Sequence, residues 1–257
     1  MIQEIEFVKY KQRGAGYHYK QIDKLNFRKF NAFVYARFIK HLDLVKDHIK
    51  NNFNEDALIK ILDVGCGDGV LLYLIKNKIK NNNIKAYGTD LSEVALEVAQ
   101  KKVPNSRFIK ADVYNLNFQN DYFDIVISSD VIEHVSSPEK MLKEMKRVAK
   151  DNAYIIIGTP IRCTKEPLDK NHFQEFYKED FENLMSHYFK DCEIVESHEL
   201  FYELLYQKPF NIFYKRILIF RYLINLLAIL LNINLFLKGR KYKNQLFRNM
   251  YAICKNK

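Results

Sequence analysis

The sequence predicts an α/β domain: a mostly parallel sheet with helices on both faces. Three observations carry that expectation. Apolar strand-like runs alternate with helical patterns from Ile61 to Pro160, and right-handed crossovers between such runs build a parallel sheet. The run Tyr122-Phe123-Asp124-Ile125-Val126-Ile127 is apolar apart from Asp124, as a strand covered on both faces should be. The first strand, Ile61-Leu62-Asp63-Val64, runs into Gly65-Cys66-Gly67-Asp68-Gly69, and an apolar helical pattern resumes at Val70.

Taken in order, residues 1–55 read as an N-terminal helical extension. Phe30, Phe33, Val34, Phe38 and Ile39 recur at helical spacing, as do Leu42, Val45 and Ile49. Tyr17, His18 and Gln21 follow a glycine-containing loop and suit a lid over a nearby site. The core is expected over 56–199. Val70 to about Lys80 is a helix, and Lys85–Leu91 a second strand ending on Asp90. Ser92 caps a helix over Glu93–Lys102. Arg107–Val113 is the third strand, with Asp112 at its end, and Tyr122–Asp130 the fourth. Ser137-Pro138 opens the next helix, with Ser as N-cap and Pro at the first helical position. Ala153–Pro160 is the fifth strand, Phe181–Tyr188 a helix and Cys192–Ser197 the sixth strand. Residues 200–245 form a basic, apolar helical insertion, and 246–257 return as a closing strand.

Composition bounds the rest. The chain has 257 residues, 48% of them apolar, enough for one α/β domain with an appendage. Cys66, Cys163, Cys192 and Cys254 are scattered with no C-x-x-C pair, which argues against a zinc site or a disulfide framework and for a reducing cytoplasm. The first residues carry acids and no apolar stretch of secretory length, so no signal peptide is expected. The net charge of +10 is uneven: residues 200–257 hold eleven Lys/Arg and one acid, Glu203, while the preceding residues balance. A neutral body with a basic, apolar tail points to an anionic surface, a membrane first, and away from a nucleic-acid groove. Ile217–Leu237 carries one charge, Arg221. The 16 uncharged residues between Arg221 and Lys238 make about 24 Å of helix, short of the ~30 Å hydrocarbon core. Arg221, Asn225, Ala228 and Asn232 share one narrow stripe of that helix, so it is expected either to lie on a membrane or to be buried against Phe30–Ile39 or in a homodimer.

The glycine spacing selects a ligand class. A dinucleotide fingerprint puts its third glycine at position 70, which is Val70; here it comes one residue early, at Gly69, with Asp63 ahead of the turn. This D-x-G-x-G-x-G form resembles motif I of the class I S-adenosylmethionine (SAM) methyltransferases. With Asp90, Asp112, the Phe-Asp-Ile-Val-Ile strand and Asp130-Val131-Ile132-Glu133-His134-Val135, residues 55–195 resemble the type-11 and ubiquinone-biosynthesis-like members. The resemblance implies a Rossmann-like sheet of seven strands with an antiparallel last strand. It implies SAM contacts at Asp63, Gly65, Cys66, Gly67, Asp90, Leu91, Asp112, Val113 and Ser129. Asp90 would take the ribose hydroxyls and Asp112 the adenine amino group. His134, directly after the fourth strand, is the candidate base. Tyr17–Gln21, Thr159–Arg162, His172–Phe176 and Met250–Cys254 resemble a subgroup associated with surface-glycan and lipid-carrier pathways. The expected acceptor is therefore a small molecule, a glycan or a lipid-linked group, methylated on oxygen or nitrogen. An RNA methyltransferase and a non-catalytic SAM-fold partner subunit are the alternatives. No metal is assigned, although Asp130, Glu133, His134 and distant His172 resemble the metal-assisted members.

Overall fold

The computed structural model describes residues 10, 13–81, 83–165, 167, 169, 171–212, 215–237 and 246–257. Two helices lead, α1 (Tyr17–Ile22) and α2 (Ala32–Asn52). Asn31 starts α2, its side-chain oxygen accepting from the N–H groups of Phe33 and Val34. The alternation then follows as β1 (Ile59–Val64), α3 (Val70–Lys78), β2 (Ile84–Asp90), α4 (Glu93–Lys102), β3 (Arg107–Lys110), β4 (Phe123–Ser129), α5 (Pro138–Val148) and β5 (Ala149–Pro160). Ser92 caps α4 as expected, accepting from Ala95 N–H. Ser137 stands at the N-cap of α5, but its side chain makes no cap; its N–H donates to the Tyr114 hydroxyl instead. After β5 come α6 (Lys178–Tyr188), β6 (Lys190–Glu199), α7 (Leu200–Gln207), the short strands β7 (Phe210–Ile212) and β8 (Lys215–Ile217), α8 (Ile219–Leu230) and β9 (Phe247–Lys255).

The main sheet has seven strands in the order β3-β2-β1-β4-β5-β9-β6. The first five are parallel, and β9 pairs antiparallel with both β5 and β6. Strand parity divides the core, because successive side chains point to opposite faces. Leu62, Val64, Val126, Ile155 and Ile157 pack with Met141, Leu142 and Met145 of α5 and with Phe181 and Met185 of α6. Ile61, Ile125, Ile127 and Ile156 point the other way and pack with Leu42, Val45 and Ile49 of α2 and Leu71, Leu72 and Ile75 of α3. The strand order reverses between β1 and β4, and in open α/β sheets the ligand crevice lies at such a point, beyond the strands' carboxyl ends.

Two expectations need correction. The insertion is not one long helix. It contains α7, the β7–β8 hairpin and a 12-residue α8, which stops where Asn232 takes a left-handed φ of 52° and Asn234 turns inward to donate to the Ala32 carbonyl. Cys192 and Cys254 form a disulfide, although their scatter argued against one. They lie on neighbouring antiparallel strands, β6 and β9, a closeness that a sequence separation of 62 conceals. Cys66 and Cys163 are free.

Candidate active site

The glycine turn is held by backbone bonds. Gly65 and Cys66 both donate N–H to the Thr89 carbonyl at 2.8 Å, which ties the end of β1 to the end of β2. Gly65, Gly67 and Gly69 have φ of 74°, 53° and 79°, the left-handed region that a side chain disfavours. At Gly69 a Cβ would also press on Ala99 of α4, at 2.8 Å. The carboxylate of Asp90 closes the turn: one oxygen accepts from Gly67 N–H and the other from Ser92 N–H, each at 2.8 Å. Burial raises the Asp90 pKa, and those two bonds pull it part of the way back. Asp63 is 2% exposed in β1, and burial with Asp90 nearby pushes its carboxyl up to about 8. Cys66 is buried, and burial raises its thiol well above the ordinary value.

The outer half of the crevice lies beyond β2 and β3. Leu91 exposes about half of its surface, 48%. Ala111 N–H donates to the Asp90 carbonyl, so Asp112 and Val113 follow directly beside the end of β2. Asp112 is half-buried and accepts from Tyr114 N–H at 3.0 Å, a local turn that fixes its carboxylate.

The opposite wall follows β4. Ser129 donates its hydroxyl to Asp130, whose backbone is left-handed at φ 55° and whose N–H is held by the Gly158 carbonyl. Arg37 of α2 reaches Asp130 with an N–H···O bond of 3.0 Å. Burial works against the guanidinium charge, but Asp130, Tyr251, Glu133 and Tyr17 together outweigh it and the pKa rises. Glu133 is buried in the short 3₁₀ turn Ile132–His134 and accepts from the Thr159 hydroxyl at 3.0 Å. Its second oxygen accepts no hydrogen bond among the described residues; burial, with Asp130 nearby, pushes the carboxyl up to about 8. His134 Nδ1 lies 3.0 Å from the Asn171 carbonyl, and its ring centroid is 4.7 Å from that of His172. A carbonyl only accepts, so Nδ1 carries the proton and Nε2 is the basic nitrogen. Glu133, His134 and His172 offer ligand atoms that all lie within 4.8 Å of one another. The residues expected along the strand ends thus gather at one edge of the sheet, and distant His172 joins them.

The N-terminal extension covers the turn. His18 Nδ1 is 3.0 Å from an Asp68 oxygen, and Asp68 N–H donates to the Tyr10 hydroxyl at 3.2 Å. Tyr10 and Tyr17 rings lie 5.8 Å apart, and Tyr17 and His18 rings 3.9 Å apart. Burial raises the Tyr17 hydroxyl to about 12. A Cβ on Gly67 would run into the Tyr10 hydroxyl. Of the three residues expected above the site, Tyr17 and His18 pack beside the turn. The Gln21 carbonyl accepts from Asn31 N–H, which ties the end of α1 to the start of α2. Tyr10 and Arg37 were missed by sequence reasoning. Arg37 had left a signal: it sits four residues after Phe33, a charge on an otherwise apolar stripe.

Residues 62–157 fit the family profile described as Methyltransferase domain. Residues 62–157 thus form a methyltransferase domain. SAM is the cofactor of that domain. A ubiquinone/menaquinone biosynthesis C-methyltransferase from Campylobacter jejuni is 32% identical over 102 residues, 38% of this chain and 43% of that protein. A ubiquinone biosynthesis O-methyltransferase from Rickettsia prowazekii is 31% identical over 127 residues, 48% of this chain and 49% of that protein. The chain thus spans about half the length of these curated relatives, or less. A solved SAM-dependent methyltransferase from Thermotoga maritima, described as a possible histamine N-methyltransferase, superposes with a TM-score of 0.59 at 19% identity, covering 98% of this chain and all of that one; that likeness speaks for the fold.

Proposed function

We propose that the protein transfers a methyl group from SAM to an oxygen or nitrogen of a small-molecule acceptor, with a glycan or lipid-linked group as its finer class. The observation that carries this is the closed turn, in which Asp90 is bonded to Gly67 N–H at the point where the strand order reverses. The donor set fits the cofactor: a glycine cradle without side chains, acids beyond β2 and β3, and an apolar Leu91 between them. When bound, SAM supplies a methyl carbon already activated by its sulfonium. The chain's own work is positioning, water exclusion and one proton transfer. Gly65, Cys66 and Gly67 present backbone to the cofactor, Asp63 and Asp90 orient its polar groups, and Asp112, Val113 and Ser129 bound the rest. Tyr10, Tyr17 and His18 act as a lid that keeps water from the turn. His134, with Nδ1 held by the Asn171 carbonyl, takes the acceptor proton on Nε2. The quinone relatives favour a small acceptor over RNA, and the intact glycine turn and Asp90 favour an enzyme over a decayed partner subunit.

Titration calorimetry with S-adenosylhomocysteine tests the cofactor half. The intact protein should bind and Gly67→Val should not; equal binding by both would overturn the assignment. His134→Ala should keep the cofactor affinity and slow turnover by roughly 10²–10⁴-fold, the usual contribution of a general base.

One observation favours a second reading of His134. Glu133, His134 and His172 form a carboxylate and two-imidazole set, in which one oxygen of the buried Glu133 accepts no hydrogen bond among the described residues, and such a set suits a borderline transition ion better than magnesium. An ion held there would acidify an acceptor hydroxyl. Loss of turnover in chelator, restored by manganese or zinc, supports this reading; activity indifferent to chelator leaves His134 as a base alone.

A further inference from the structure

Helix α8 is built inside out for a water-facing helix. Its one narrow polar stripe points into the protein. Asn225 is 3% exposed and makes three bonds: its oxygen accepts from Ala32 N–H and the Tyr206 hydroxyl, and its amide donates to the Phe30 carbonyl, at 3.0, 2.8 and 2.8 Å. Ile224 and Ala228 are buried on the same side, in a small core with Phe30, Ala32, Ala36, Tyr206 and Phe236. The opposite side is leucine. Leu223, Leu226 and Leu230 are 49%, 40% and 68% exposed, and Tyr222 beside them 50%. The Asn225 bonds lock this orientation, because rolling the leucines inward would carry Asn225 away and strand the Ala32 N–H, the Phe30 carbonyl and the Tyr206 hydroxyl without this partner. Phe27, itself 40% exposed, stacks on Tyr222 with ring centroids 6.2 Å apart and extends the apolar face, and Arg28 and Lys29 next to it are exposed.

We infer that this face docks on an anionic lipid bilayer. An outward row of leucines with Tyr and Phe at one end and basic residues at the margin is the pattern of a helix lying in the interface plane. Charge selects the bilayer over a second copy of the chain. Arg28 and Lys29 border the face, and residues 200–257 hold eleven Lys/Arg against one acid, so self-association through this region would set like charges against each other, whereas an anionic surface attracts them. Length limits the mode. The 12 residues of α8 measure about 18 Å against a hydrocarbon core of ~30 Å, and no helix among the described residues is long and apolar enough to cross a membrane. The helix therefore lies on the surface. The inference stands apart from the methyl-transfer reading, since none of its residues belongs to the cofactor crevice.

Flotation of the intact protein tests it, with phosphatidylcholine vesicles with and without phosphatidylglycerol. The protein should float with the anionic vesicles, release as salt is raised, and stay at the bottom with neutral ones. Leu226→Glu with Leu230→Glu should reduce anionic-vesicle binding by roughly 30-fold or more, from the leucine surface no longer removed from water. That double variant should retain the wild-type circular dichroism spectrum and S-adenosylhomocysteine binding, which shows that the crevice is intact. Failure of the wild type to float overturns the inference. So does a stable dimer by light scattering that the double variant breaks without any vesicle binding, which would assign the face to a second copy.

Discussion

Replacing Asp90 with alanine separates two jobs that one carboxylate does. In the free protein its oxygens accept from Gly67 N–H and Ser92 N–H, and Asp90 is 8% exposed. Removing the carboxylate leaves two donors in a largely dry place, at about 1–3 kcal/mol each. Part of that returns, because the burial that raises the Asp90 pKa is itself a penalty for keeping a charge there. The expected net loss is about 2–3 kcal/mol, a large share of the ~5–15 kcal/mol typical of a folded domain but not all of it. Asp90→Asn keeps one acceptor and points an amide at the second donor, so it should fall between wild type and alanine. Urea unfolding reads this at constant slope. Calorimetry with S-adenosylhomocysteine reads the second job, and binding should be lost in Asp90→Ala. An alanine variant within ~0.5 kcal/mol of wild type, the range of neutral surface changes, would refute the claim that Asp90 closes the turn.

Further outcomes follow from neighbouring geometry. Gly69→Ala, with φ at 79° and Ala99 Cβ at 2.8 Å, should lower stability by about 1–3 kcal/mol by urea titration through left-handed strain and α3–α4 crowding. Asp63 binds its proton up to about pH 8 when folded and to about 3.9 when unfolded, so its contribution is fully present below pH ~4 and disappears as pH rises toward 8. The free wild-type protein should therefore lose more stability between pH 5 and 8 than Asp63→Asn, and parallel pH profiles would count against a protonated Asp63. Reducing the Cys192–Cys254 bond, which closes a 62-residue separation, should cost about 2–4 kcal/mol in chemical unfolding, and Cys254→Ser should be insensitive to reductant.

The parts legible in the sequence were those with a local cause. The strands β1, β2, β4 and β5 announced themselves by buried apolar runs, the turn by glycines that only left-handed backbone explains, and α4 by Ser92. The same locality shows why Asp90 was readable: a strand end and an acid sit side by side in the chain. What stayed hidden depends on distant pairing. Arg37 meets Asp130 across 93 residues, and His172 meets His134 through a loop whose course no periodicity gives. The orientation of α8 was half legible. Its wheel gave the stripe of Asn225 and Ala228, but only tertiary bonds to Phe30, Ala32 and Tyr206 show that the stripe faces inward. Burial and membrane docking were weighed in the sequence as rivals; the structure buries the Asn225 face and leaves Leu223, Leu226 and Leu230 exposed on the opposite one.

Strand β9 sits between β5 and β6, and that placement sets an order of assembly. The five parallel strands and the helices α3, α4 and α5 that connect them all lie between Ile59 and Pro160, so their pairing can form from contacts nearby in sequence. β6 cannot, because its only strand partner among the described residues is β9, some fifty residues downstream. Until β9 arrives, β5 presents the open edge of a half-built sheet, and the apolar side chains Ile155 and Ile157 beside it lack their cover from Met250 and Ala252. A nascent chain stalled within the 200–245 segment would therefore be a sticky intermediate, inviting a foreign strand where its own belongs. The insertion sets how long that edge stays open, and shortening it should change refolding yield more than final stability.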